Sequence, residues 1–174
     1  MDGLLSKSLL SKGVLFGAIA DDSIPEYFYD HGVENVYWDT GYSTDGNAGG
    51  GEQGKESTDL YVYAYNNSDG GAWRTWVTGF SYDMTDINTI NFLIDFSYTR
   101  TSTGDAGYYL SIGSSSSAAC YTDSVKVSAL NTSRSQTIVS LDVSALTGKY
   151  FIKVASMAAI ATTATLKVYE VWRS

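Results

Sequence analysis

The sequence predicts an all-β chain, an antiparallel β-sandwich of jelly-roll type with an N-terminal extended or short helical arm. Three observations predict it. The 174 residues include 14 Tyr and 17 Gly but only one Pro and one His. Tyr, Thr and Val favour pleated, half-buried surfaces, and Gly serves turns and bulges. From about Leu60 onward, apolar and polar residues alternate with period two in short runs. Clusters of Gly, Asn, Asp and Ser separate those runs.

The elements follow in order. Residues 1–26 form the arm, and residues 27–174 the sandwich domain. Leu4, Leu5, Leu9 and Leu10 recur at helix-like intervals, and Val14, Phe16 and Ile19 continue an apolar series. Gly13 and Gly17 weaken any helical continuation. Ala18-Ile19-Ala20 has the small-x-small form of a cleavage site, but Asp2 spoils the basic start that a signal peptide needs. The arm is therefore expected to stay, and its apolar series suits either docking on a larger particle or folding onto its own sandwich as a first strand or helix. Nowhere does the chain carry the ~18 uninterrupted apolar residues of a membrane span, so no membrane partner is expected.

Beyond Pro25, His31-Gly32 reads as a turn between two aromatic strand pieces. Residues 41–59, polar and rich in glycine, read as a long loop. Leu60, Val62 and Ala64 then share one face of a strand, with Tyr61, Tyr63 and Tyr65 on the other. The run 66–71, NNSDGG, is a turn, and AWRTWVTGF follows it. Ile90, Phe92, Ile94 and Phe96 alternate with polar neighbours. Tyr108, Leu110 and Ile112 do the same, as do Val139, Leu141 and Val143. Val125 and Val127 form a short strand, and strands over 150–155 and 165–172 close the count at about eight or nine.

Composition excludes several functions. The net charge is -8, with 11 Lys and Arg against 19 Asp and Glu. Phosphate binding needs clustered cations, so no nucleic acid is expected as partner. The single cysteine, Cys120, reads as a small buried hydrophobe, since no base lies near it in sequence. No G-x-S-x-G, HExxH or Walker loop is present, so no catalytic residue, no cofactor and no enzymatic activity are expected. Asp83, Asp86 and Asp95 read as turn and surface carboxylates.

Two binding readings remain. Asp39, Asp45, Asn47 and Glu52 offer oxygen ligands of the kind Ca²⁺ prefers, although their spacing matches no EF-hand loop, and no metal is the expected outcome. Tyr61, Tyr63, Tyr65, Trp73 and Trp76 offer planar rings around one turn. Such rings stack on pyranose faces, and they equally suit a subunit interface.

Three segments carry a resemblance: SYDMTDINTINFLIDFSYT (81–99), GYYLSIG (107–113) and IVSLDVSALTGKYFIKV (138–154), closed by ATLKVYEVW (164–172). Together they resemble small β-sandwich structural proteins of phages and prophages of Gram-positive bacteria. The third is similar to the late strands of galactose-binding-like jelly rolls, common in carbohydrate-binding modules. The resemblance implies a non-enzymatic virion protein, a capsid decoration or head-fibre protein made in the bacterial host cytoplasm. Leu9, Leu10, Val14, Phe16 and Ile19 would anchor it to capsid or tail, its partners being other virion proteins. A homo-oligomer is implied, and a trimer suits a fibre. The alternative is a carbohydrate- or receptor-binding module, a tail adhesin attaching to host surface glycans.

Overall fold

The computed structural model describes residues 24–45, 49–67, 71–101, 103–117 and 119–174. The anchoring residues Leu9, Leu10, Val14, Phe16 and Ile19 therefore lie outside the described residues. The chain runs β1 (Tyr27–Asp30), β2 (Val33–Glu34), β3 (Trp38–Asp45), β4 (Gly49–Lys55), β5 (Leu60–Asn66), β6 (Gly71–Thr78) and β7 (Tyr82–Asp83). It continues through β8 (Thr89–Arg100), β9 (Ala106–Gly113), a 3-10 turn (Cys120–Thr122), β10 (Val125–Leu130), β11 (Arg134–Asp142), β12 (Lys149–Ala159) and β13 (Thr162–Arg173).

Two antiparallel sheets face each other. The first has the order β11-β8-β13, and the far edge of β13 is shared. Residues Thr162–Val168 pair with β5, and Glu170–Trp172 pair with β1. Strand β4 extends the sheet beyond β5, and β2 extends it beyond β1. The second sheet has the order β10-β9-β12-β6-β3, with β7 paired to the start of β12.

The core is what the alternation dictates. Phe92, Ile94, Phe96 and Leu166 point inward from the first sheet and meet Leu110, Ile152 and Val154 from the second, all essentially without exposure. Each such side chain contributes about 1.5–3 kcal/mol by leaving water. Two tryptophans bolt the layers together. The Trp76 indole N–H on β6 donates to the Tyr61 carbonyl on β5 at 3.1 Å, and that of Trp38 on β3 donates to the Phe28 carbonyl on β1 at 3.4 Å.

The sandwich is as expected, but its N-terminal half is richer in strands. The stretch 41–59 is not one long loop: it completes β3 and forms β4, and the short strands β1, β2 and β7 add further pieces. Thirteen strands stand among the described residues where about eight or nine were expected from turn spacing. Residues 24–26 are tied to the sandwich, since Ile24 packs against the core and the Arg173 N–H donates to the Glu26 carbonyl at 3.0 Å.

The part of the second sheet's outer face that lies over β9 and β12 is covered by its own chain. The segment between β9 and β10 folds back so that its 3-10 turn packs on β9 and β12. Cys120 is fully buried there, and burial pushes its thiol up to about 11. Under the same cover lies an ion pair. Lys153 Nζ sits 3.0 Å from both Asp123 carboxylate oxygens, and the two side chains are only 1% and 7% exposed. The Ser111 hydroxyl donates to Asp123 Oδ2 at 2.7 Å.

Candidate functional site

The opposite outer face, on the first sheet, is open, and it carries the aromatic and polar side chains the sequence singled out. Its rows follow from strand register, because directly paired residues project to the same side. One row runs Gly54, Tyr61, Lys167, Asp95 across β4, β5, β13 and β8. The next runs Glu52, Tyr63, Thr165, Ser97, and a third Gly50, Tyr65, Thr163, Thr99. Three tyrosines thus form a column flanked by hydroxyls, one carboxylate edge and one lysine.

Glycines let the rings lie across β4. A Cβ on Gly54 would stand 2.4 Å from Tyr61 Cε1, and one on Gly50 would stand 2.6 Å from the Tyr65 Cζ. The rings therefore occupy the space that side chains on β4 would take. This is why a strand of the composition GGGEQGK persists: its partner strand supplies the side-chain packing that glycine lacks. Tyr63 and Tyr65 lie with ring centroids 5.9 Å apart and planes 31° apart, and Tyr65 is the most exposed of the three.

Beside the column, a cleft of about 500 Å³ opens over Ser97 and Thr165, walled by Asp95, Arg134, Ser135 and Lys167. Two of its charged groups, Lys167 and Asp95, are already engaged. Lys167 Nζ lies 3.4 Å from Asp59 Oδ2 and 3.7 Å from Glu56 Oε2. The Tyr169 hydroxyl donates to Asp95 Oδ2 at 2.9 Å, and the Gln136 N–H donates to Asp95 Oδ1. Across β8 and β13, the Thr99 and Thr163 hydroxyls share a hydrogen bond of 2.6 Å. The face thus offers flat rings together with hydroxyl, amide and charged groups held in place by neighbours.

Burial, then its bond to Asp95, raises the Tyr169 phenol to about 12, and burial raises Tyr29 to about 12. Both folded values lie above the ordinary 10, so the stability these phenols contribute is complete below pH 10. It is lost as the pH climbs from 10 through 12. The resistance of the native chain to chemical unfolding should therefore fall between pH 10 and 12, and by visibly less in a Tyr29→Phe variant. Parallel curves for the two proteins would refute this.

The other residues singled out from the sequence do not join this face. Trp73 and Trp76 are three apart on β6, so period two sends them to opposite sides. Trp76 is 4% exposed in the core, with Lys55 Nζ 5.0 Å from its ring centroid. It is a packing residue, which corrects its reading as a surface ring. Trp73 lies on the outer face of the second sheet, with ring centroids 4.9 Å from Tyr109 and 5.5 Å from Tyr121. The calcium candidates are also separated. Asp39 pairs with Val77 in the second sheet and Glu52 with Tyr63 in the first, while the side chains of Asp45 and Asn47 lie outside the description. Sequence reasoning missed Asp95, Ser97, Arg134, Thr163, Thr165 and Lys167 as members of the site. The polar alternation along TTATLKVY was a signal for β13, but nothing local to the sequence placed it beside β5.

No family model matches the chain, and no curated protein matches it. Among solved structures, it is similar to TmCBM61 in complex with β-1,4-galactotriose, at 8% identity and a TM-score of 0.40, over 79% of this chain and 87% of that one. It is similar to the family 11 carbohydrate-binding module of the cellulosomal cellulase Lic26A-Cel5E of Clostridium thermocellum, at 11% identity and a TM-score of 0.39, over 85% and 96%. A third is the low affinity xylan binding module CBM86 from Roseburia intestinalis, at 13% and 0.32, over 77% and 96%. At such scores and identities the similarity speaks to neither ligand nor mechanism.

Proposed function

We propose that this protein is a non-catalytic glycan-binding module whose ligand lies along the outer face of the first sheet. The observation that carries the reading is the column Tyr61, Tyr63, Tyr65 beside the cleft over Ser97 and Thr165. Rings backed by β4 glycines turn a flat apolar surface outward, which suits the C–H faces of pyranoses. The adjoining hydroxyls, Glu52 and Arg134 suit sugar hydroxyls. Lys167 is already paired with Asp59 and Glu56, while the Asp95 and Glu52 carboxylates on this face would repel an acidic sugar, so the expected ligand is a neutral polysaccharide. Binding sites generally combine such apolar surface with a few placed polar groups.

The test is a glycan array with the purified full chain, followed by affinity electrophoresis in gels containing the best polysaccharide. Retardation that survives in Trp73→Ala but not in Tyr63→Ala would support this face. Retardation lost in Trp73→Ala alone would move the site to the second sheet, and no retardation in any polysaccharide would sink the reading.

A finer proposal from the sequence is that the module rides on a phage particle through residues 1–26. It is supported by the apolar series Leu9, Leu10, Val14, Phe16, Ile19 and by the resemblance described above. A handful of such side chains, at about 1.5–3 kcal/mol each when fully buried, would support tight attachment. Deleting residues 1–23 is then expected to leave a folded, soluble domain that no longer sediments with particles. A deletion variant that still sediments with them would refute the anchor.

A further inference from the structure

We propose that Asp30, His31 and Glu170 form a binding site for one divalent transition-metal ion of the zinc class. The proposal is independent of the glycan reading and lies outside the residues used for it.

The sequence builds the site at the junction of the first and last strands. Asp30 ends β1 and Val33 begins β2, paired across a two-residue turn of His31 and Gly32. Both turn residues have positive φ, +41° and +91°, the geometry of the tight hairpin turn that matches strand twist. The His31 N–H donates to the Tyr169 carbonyl at 2.8 Å, which sets the turn against β13. A bulge between Val168 and Glu170 then reverses the inward alternation: Val168 and Val171 both point into the core, and Tyr169 and Glu170 both stay out of it.

The result is an arrangement a sheet does not favour without a cation. Asp30 and Glu170 are direct cross-strand partners, and like charges in that position repel. The only histidine of the chain stands between them. His31 Nδ1 lies 2.8 Å from Asp30 Oδ1 and 3.4 Å from Glu170 Oε1, and the three ligand atoms lie within 4.8 Å of one another. An ion held at about 2.0–2.2 Å from imidazole nitrogen and carboxylate oxygen places neighbouring ligand atoms about 3–3.5 Å apart. The two separations from the imidazole nitrogen already lie near that range, so an ion would replace the imidazole proton and draw the two carboxylates onto it by side-chain movement.

The donor set decides the kind of ion. One imidazole and two carboxylates suit zinc and its neighbours, whereas calcium and magnesium prefer oxygen alone. Three protein ligands leave the remaining positions to water, since His31 is exposed and the two carboxylates are partly so. Bound there, the ion would pin the β1–β2 hairpin to β13.

The test is calorimetric titration of the metal-free full chain with zinc chloride, and separately with magnesium chloride. His31→Asn keeps a residue that tolerates the left-handed turn, and Glu170→Gln keeps the size of the side chain. Circular dichroism checks that both variants are folded. The expected result is one equivalent of zinc bound by the native chain, at least tenfold weaker binding in each variant, and no magnesium binding. The melting temperature should rise with zinc in the native chain and not in His31→Asn. Absence of zinc binding in the native chain, or unchanged binding in the variants, would overturn the proposal.

Discussion

Replacing Asp123 by alanine is expected to lower the unfolding free energy by about 3–5 kcal/mol, because it strands the Lys153 ammonium inside the protein. Lys153 is on the central strand β12, directly opposite Ser111 on β9 and Val77 on β6, and only 1% of it reaches solvent. Its charge is tolerated because both Asp123 oxygens lie at 3.0 Å, and Ser111 satisfies one of them further. The Lys126 ammonium donates to the Asp123 carbonyl at 2.9 Å and fixes the segment that delivers the carboxylate. Gly113 makes room, since a Cβ there would stand 2.0 Å from Asp123 Oδ1. Lys153→Met should cost less than Asp123→Ala, as it leaves a carboxylate nearer the surface. The double variant should recover at least about 2 kcal/mol relative to the sum of the singles. Additive losses in urea unfolding, within about 0.5 kcal/mol, would show that the two groups are not coupled.

That pair also marks where the sequence stops being legible. The runs Leu60–Tyr65 and Ile90–Phe96 announce strands by themselves, because period-two alternation is a local property. A lysine inside YFIKVAS reads as the solvent side of a strand. The return of Cys120–Asp123 over β9 and β12 brings the Asp123 carboxylate onto it, and no local pattern encodes that return. The same holds for β4. Its glycines read as loop because propensity is judged residue by residue, whereas Tyr61 and Tyr65 on the neighbouring strand fill the space above them. The tyrosine column was visible as alternation on β5. Its polar partners were not, since Thr163, Thr165 and Lys167 come from about a hundred residues away and their positions depend on the β13 register. Trp73 and Trp76 fail as a pair for a simpler reason: on a strand whose pairing runs without a bulge, as it does here, residues at an odd spacing lie on opposite faces.

Removing Tyr63 and Tyr65 together is expected to weaken polysaccharide binding about a hundredfold, or roughly 2.7 kcal/mol, if each ring contributes at the level of a central aromatic contact. Tyr63 lies in the row with Glu52, Thr165 and Ser97, so a sugar stacked on it lies within reach of the cleft. Tyr65 extends the surface by one row and has its ring over Gly50. Because β5 buries Leu60, Val62 and Ala64 on its other face, the double substitution leaves the core contacts in place. Its unfolding midpoint should stay close to that of the native chain. A companion variant separates ring from register. Gly50→Val introduces a branched side chain where the Tyr65 ring lies, so that ring must tilt away from the strand. Affinity should fall by less than in the double variant, with the loss confined to longer oligosaccharides that reach the third row. Calorimetric titration with a ladder of oligosaccharide lengths reads this directly. If the double variant binds every length as the native chain does, the tyrosines serve contact with another protein surface and the glycan lies elsewhere.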